Sequence, residues 1–321
     1  MAGPLGRLLG VIDYPDGGRH GHSRPTPLVG GIALMVPLLL VALAEAIWYG
    51  ALGGIFAALT IGGLGFLLLG WYDDRDHVPP GVRLLISTSL CGALVMMEPS
   101  LILAEVDLAP HQGVRLGVIA VPFTIICLVG LQNSINMADG MNGLVIGLTA
   151  IWAGCLMVYA PAELQLYLGF MLLGLLILLP FNLTDRLFLG DAGSYSIGTT
   201  IGLLIIYTFN VADGRLPMLT VVLWLFVPVA DTLRVMITRW MSDRSPLTGD
   251  KNHLHHRLKR RWDTLQSLFL YLALVGGPSL VAAFWPMLTE LMLSVVAAGY
   301  IGILWFTRKA VVTARSNPGL V

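Results

Sequence analysis

Membrane-length windows without a single charge recur along almost the whole chain, at residues 25–44, 46–72, 116–138, 140–162, 164–184, 192–212, 264–289 and 291–307. About 20 apolar residues span a bilayer as a helix, and within lipid only helices and closed barrels satisfy their own backbone groups. The window 46–72 contains the turn Trp48, Tyr49 and Gly50, so one span ends there and another starts near Ala51. Two further spans carry charge: 82–97, whose Arg83 is expected to snorkel to the interface, and 217–237, which ends in Asp231 and Arg234. The expected fold is therefore all-α: a polytopic integral membrane protein of about ten transmembrane helices in one bundle, a single domain over residues 1–321. With 12% of its residues charged, against about 25% in soluble domains, the chain does not read as a soluble enzyme. No cleavable signal is expected, because a polar, Pro- and Gly-rich segment precedes the first apolar run.

Ten spans put the odd-numbered gaps on the side opposite both termini. Of the 19 lysines and arginines, only Arg115 and Arg215 fall there. The positive-inside rule makes the other side cytoplasmic, with both termini on it. Cys91, Cys127 and Cys155 all fall within spans and read as small buried apolar residues, not as metal ligands or a disulfide set.

The polar clusters then sort to the cytoplasmic side. Asp139, the only charge between Arg115 and Glu163, sits in NSINMADGMNGL, between two spans. Ionisable groups at membrane depth are costly and tend to line a substrate or ion path. Asp73, Asp74 and Asp76 close the second span in GWYDDRDH, either as an interfacial cap balanced by Arg75 or as a general base with a cation-positioning charge. Asp191 in LFLGDAGS either caps the seventh span or holds Mg2+ where helix amides meet a phosphate. His253, His255 and His256 lie in DKNHLHHRLKRRW, in a cytoplasmic histidine loop expected over 238–263. Zinc is poorly served there without a Cys pair or fourth ligand, and donation to a phosphate chain fits better. GHSRPTPLVGG, residues 21–31, reads as a re-entry loop, with Arg19, His20, His22 and Arg24 adding positive charge to the same face. A structural protein needs no such bias, whereas an enzyme taking a charged cytoplasmic substrate does. A transporter or flippase of lipid-linked sugars is the alternative, and it predicts polar residues near mid-membrane with a path to both faces.

Taken in order, DYPDGGRHGHSRPTPLVGG, GWYDDRDH, NSINMADGMNGL, LFLGDAGS and DKNHLHHRL resemble the polyprenyl-phosphate N-acetylhexosamine-1-phosphate transferases, of glycosyltransferase family 4 type, from about Asp13 to His256. The histidine spacing after Asp250 and Lys251 looks like the branch that uses simple UDP-N-acetylhexosamines. The resemblance implies a multi-pass enzyme of the inner (plasma) membrane with its active site facing the cytoplasm. It implies transfer of a sugar phosphate, with GlcNAc-1-phosphate expected, from a UDP-sugar to undecaprenyl phosphate. UMP would be released and lipid-linked cell-envelope glycan synthesis, such as that of lipopolysaccharide O-antigen, begun. Mg2+ is the implied cofactor, with Mn2+ able to replace it. The implied partners are the two substrates and membrane lipid, with a homodimer allowed and no nucleic acid.

By the same resemblance, Asp191 with Asn136 would hold the metal, Phe188 would stack on uracil, and Asn142, Asn182 and His22 would contact substrate. Asp139 would order its loop or bind the diphosphate. Asp73 is the candidate base, with Asp74 beside it, and His253, His255 and His256 would hold phosphate or sugar oxygens. Two departures stand out. Bacterial members usually carry Asp where this chain has Asn142, and usually have a span before the segment that matches Asp13, which only twelve residues precede here.

Overall fold

A computed structural model describes residues 2–15, 24–48, 54–107, 113–212, 215–243, 245 and 252–316 of the chain. After the short helix α1 (Ala2–Leu9) come α2 (Gly30–Trp48), α3 (Ile55–Asp76), α4 (Pro80–Met97), α5 (Ala120–Ala138), α6 (Leu144–Tyr159) and α7 (Ala162–Leu183). The chain continues through α8 (Gly190–Val211), α9 (Met218–Trp240), the short α10 (Leu254–Lys259), α11 (Thr264–Phe284) and α12 (Thr289–Ser316). Among the described residues sheet is confined to two small antiparallel pairs, β1 (Ile12–Asp13) with β2 (Thr26–Pro27) and β3 (Glu105–Asp107) with β4 (Gly113–Arg115).

Among the described residues nine helices are long and apolar enough to cross a membrane. The fifth expected span, 140–162, is the one missing from these nine and is shorter than the sequence suggests. Its helix α6 has 16 residues, about 24 Å at 1.5 Å per residue, because Gly143 with φ 79° starts it late and Ala160 and Pro161 end it. Enclosure offsets the shortfall. Most of α6 is buried, with Trp152 donating its ring N–H to the Trp224 carbonyl of α9 at 3.0 Å, so lipid need not meet its ends. The 238–263 stretch also differs from a plain loop, since it contains the last turn of α9 and all of α10. The three cysteines are free and lie inside helices.

Helix α8 is the axis of the bundle, with 16 of its 22 residues buried. Its small residues Gly193, Ser194, Ser196, Gly198, Thr199, Thr200 and Gly202 let α2, α3 and α5 approach closely, the usual way helices pack where lipid gives no hydrophobic drive. The tightest approaches lie at its start: a Cβ on Gly31 would land on the Gly193 backbone, and one on Gly70 would land on the Asp191 carbonyl. Helices α3 and α8 run antiparallel, so α3 ends where α8 begins. At the far end Asn210 donates to the carbonyls of Ser100 and Ile102 at 2.6 and 3.1 Å.

Candidate active site

The end of α3, the end of α5 and the start of α8 meet at one point. A helix start leaves backbone amides without intrahelical partners, and α8 has no capping side chain of its own. Asp74 supplies the cap from α3: its Oδ1 accepts from Asp191 N at 2.7 Å and its Oδ2 from Ala192 N at 3.0 Å. The capping role that the sequence offered to Asp191 thus belongs to Asp74. The Asp191 side chain turns to α5, where the Asn136 amide nitrogen donates to Asp191 Oδ1 at 2.6 Å and to Ser194 Oγ at 2.9 Å.

Asp73 is buried in a triangle. Its Oδ2 accepts from Arg83 Nη1 at 2.8 Å and from the Tyr195 hydroxyl at 2.7 Å, while Arg83 also donates to Tyr195, and Oδ1 accepts from Val78 N at 2.7 Å. Arg83 was expected to snorkel outward. It turns inward because a buried carboxylate and a phenol give its guanidinium a better-defined set of partners than the interface does.

The loops around this junction are tied together by backbone and amide bonds. Asn142 donates to Asp185 Oδ1 at 2.6 Å, and the buried Asn182 accepts from Gly143 N at 2.6 Å while donating to the Leu187 carbonyl at 3.2 Å. Both ends of the Asn182 amide are therefore engaged with backbone. The re-entry segment joins the same cluster: Phe188 N donates to Pro27 O, Gly30 N to Phe188 O and Gly31 N to Leu189 O, at 2.8–3.0 Å. Phe188 is half-buried at the centre of this zipper.

The histidines sit on and before α10. The His253 and His255 rings are nearly parallel, with centroids 5.8 Å apart, and His255 meets His256 at 4.2 Å. His255 faces the turn that holds Asp139, where a Cβ on Gly140 would meet its Nε2. That nitrogen is buried without a hydrogen-bond partner. Burial, then the neighbouring His256 and His253, hold the His255 pKa well below the usual imidazole value, so it is neutral. Asp139 is the reverse case: burial, then the charges of Asp191 and Asp74, raise its pKa well above the carboxylate range, although part of its surface is open.

Asp73, Asp74, Asp139 and Asp191 thus form one electrostatic cluster, in which Arg83 is bonded to Asp73. Hard carboxylate oxygens in excess over cations suit a divalent ion such as Mg2+. Among the described residues no three His, Cys, Asp or Glu side chains close around one point. The donor set still fits a metal whose shell is completed by substrate phosphate, because such a site needs only one or two carboxylates.

Of the residues singled out from sequence, Asp73, Asp74, Asn136, Asp139, Asn142, Asn182, Phe188, Asp191, His253, His255 and His256 are brought to this end of the bundle. His22 lies outside the described residues, as do Arg19 and His20. Sequence reasoning missed Tyr195 and gave no role to Asp231 or Tyr300, which hold the histidine segment. The readable signal was Asp231 with Arg234 three residues later inside a span, a buried ion pair by spacing.

The sequence model of the family described as Glycosyl transferase family 4 matches residues 56–209, a range that includes Asp73, Asp74, Asp139 and Asp191. The chain is 28% identical over 260 residues to a probable undecaprenyl-phosphate N-acetylglucosaminyl 1-phosphate transferase of Bacillus subtilis, covering 78% of this chain and 70% of that protein. It is 29% identical over 288 residues to a decaprenyl-phosphate N-acetylglucosaminephosphotransferase of Mycolicibacterium smegmatis, covering 78% and 69%. With an undecaprenyl-phosphate alpha-N-acetylglucosaminyl 1-phosphate transferase of Escherichia coli K12 the identity is 24% over 326 residues, covering 94% and 86%.

Proposed function

We propose that the chain is a member of glycosyl transferase family 4, whose sequence model matches residues 56–209, and that it transfers GlcNAc-1-phosphate from UDP-GlcNAc to a polyprenyl phosphate, releasing UMP at the cytoplasmic membrane face. The observation that carries this reading is the junction of three helix ends, where Asp74 holds the Asp191 and Ala192 amides, Asn136 holds the Asp191 carboxylate, and Asp139 lies within reach of the Asp74 and Asp191 charges. The names of the relatives supply the lipid phosphate and the sugar.

One phosphoanhydride is broken and another made, so the barrier is mainly electrostatic: an anionic lipid phosphate must approach an anionic diphosphate. A bound Mg2+ would neutralise part of that charge and hold the diphosphate for in-line attack. Asp191 would be its main protein ligand, with Asn136 fixing the rotamer of that carboxylate and lending its amide to the same set. Asp74 holds the start of α8 and thereby the position of Asp191. Asp139 is strained as a free carboxylate and relaxes beside a cation. A phosphate monoester is already largely ionised near neutral pH, so little proton abstraction is needed. For Asp73 to act as the base it would first have to release Arg83 or Tyr195; while paired, it keeps Arg83 directed at the junction. Asn142, Phe188 and the 24–31 segment, tied together beside the junction, would contact the nucleotide, and the histidines would hold phosphate or sugar oxygens.

The test uses purified protein with undecaprenyl phosphate, Mg2+ and a panel of UDP-N-acetylhexosamines, with the released nucleotide identified. UMP formed with UDP-GlcNAc is the expected result, together with loss of turnover by ~100-fold or more in Asp191→Asn at unchanged folded yield. Release of UDP would replace the proposal with ordinary glycosyl transfer, and absence of any turnover would favour transport.

A further inference from the structure

The carboxylate of Asp231, carried by α9 and 4% exposed, binds four groups. Its Oδ2 faces His253 Nδ1 at 3.0 Å and accepts from Leu254 N at 2.9 Å. Its Oδ1 accepts from Arg234 Nη2 at 2.8 Å and from the Tyr300 hydroxyl of α12 at 3.1 Å. Arg234 reaches on to the Asn252 carbonyl at 2.6 Å. The residues on either side of His253 are therefore both tied to this node. An arginine, a phenol and a backbone amide all donate to Asp231, which keeps it an acceptor-only carboxylate. The ring nitrogen facing it must then carry a proton, and His253 can meet a ligand only through Nε2.

We propose that Asp231 is a positioning residue for the histidine segment: it fixes His253 in the Nδ1–H form, presenting Nε2 to the reacting phosphates, and Arg234 and Tyr300 hold Asp231 in register. The part concerning phosphates rests on the transferase reading, whereas the proton position does not. Through Tyr300 the node also makes the last helix a support of the active end, at a site far in sequence from the carboxylate cluster. An amide at position 231 would keep the shape. Its oxygen would be drawn to Arg234, leaving its NH2 toward His253 Nδ1, which would move the ring proton to Nε2.

The experiment is 15N NMR of histidine-labelled full-length protein in detergent, with His253 assigned by its loss in His253→Gln, alongside steady-state kinetics. The expected wild-type spectrum gives His253 as Nδ1–H, and Asp231→Asn shifts it toward Nε2–H. Turnover is expected to fall ~10- to 100-fold in Asp231→Asn and ~10-fold in Tyr300→Phe, with KM for both substrates nearly unchanged. Adding His253→Ala to Asp231→Asn should cost little more, because the two act as a unit. An Nε2–H form in the wild type would overturn the proposal, as would full turnover in Asp231→Asn or additive losses in the double variant. If the wild type forms no UMP, the transferase reading fails, while the spectrum still decides the proton position.

Discussion

Asp139 shows how a single residue records function as a stability cost. In the folded chain its pKa is raised by burial and by the Asp191 and Asp74 charges, so the native state binds its proton more tightly than the unfolded chain does. Stability is then fully present below the ordinary carboxylate pKa of about 4 and declines as pH rises toward the raised folded value. A residue kept at such a cost in a merely structural turn would be hard to explain; beside a cation or the donors of a phosphate chain the cost is offset. Asp139→Asn is therefore expected to raise the melting temperature of metal-free protein at neutral pH, to have little effect near pH 4, and to lower turnover by ~100-fold. Melting curves across that pH range with and without Mg2+ check this. A variant no more stable than wild type at neutral pH would mean that the carboxylate is well accommodated and the electrostatic account is wrong. The neutral His255 across the turn is a second such cost, with its buried Nε2 left without a hydrogen-bond partner.

At the scale of elements, the active end depends on how closely backbones approach. Gly70 lies one turn before Asp74, and any Cβ there meets the Asp191 backbone, so the spacing of α3 from α8 is set by the absence of one side chain. Gly70→Ala should force the helix ends apart, costing roughly 1–3 kcal/mol from overpacking. Activity should fall more than this implies, because the Asp74 bonds to the Asp191 and Ala192 amides lengthen together. A thermal shift with a parallel turnover assay tests it, and unchanged values of both would show that the junction is compliant. The sequence told much about the elements and little about their neighbours. Bilayer length makes helix number readable, and Asp73, Asp74, Asp139 and Asp191 stand out because charge is rare. Which helix lies at the centre was not read, since every span is apolar. The hint was compositional: the run of Gly, Ser and Thr that starts α8 suits a helix enclosed on all sides. Arg83 was misread for a related reason, because snorkelling and inward pairing share one sequence pattern and only the nearness of Asp73 and Tyr195 decides between them.

At the scale of the whole molecule, the bundle has two chemically different ends. One gathers the carboxylates, the histidines, α1 and the α12 turn at Leu304: Trp71 donates to the Leu9 carbonyl at 3.3 Å, and Arg257 donates to the Leu304 carbonyl at 3.2 Å. The other carries the β3–β4 pair, the 98–102 turn and the end of α8. The excess of Lys and Arg at the first end is the pattern that the positive-inside rule expects of a cytoplasmic face, which is the orientation the proposed chemistry requires. A lipid phosphate held at the inner leaflet and a soluble sugar nucleotide can meet only at such a boundary, so orientation is part of the proposed chemistry. Single cysteines placed at Arg75 and at Arg215, in a chain whose own three cysteines are replaced by Ala or Ser, make orientation measurable. A membrane-impermeant thiol reagent added outside intact cells should label position 215 and spare position 75, and inverted vesicles should give the reverse. Labelling of position 75 from outside would put the carboxylate cluster on the face where no nucleotide sugar is made, and the transferase reading would fall with it.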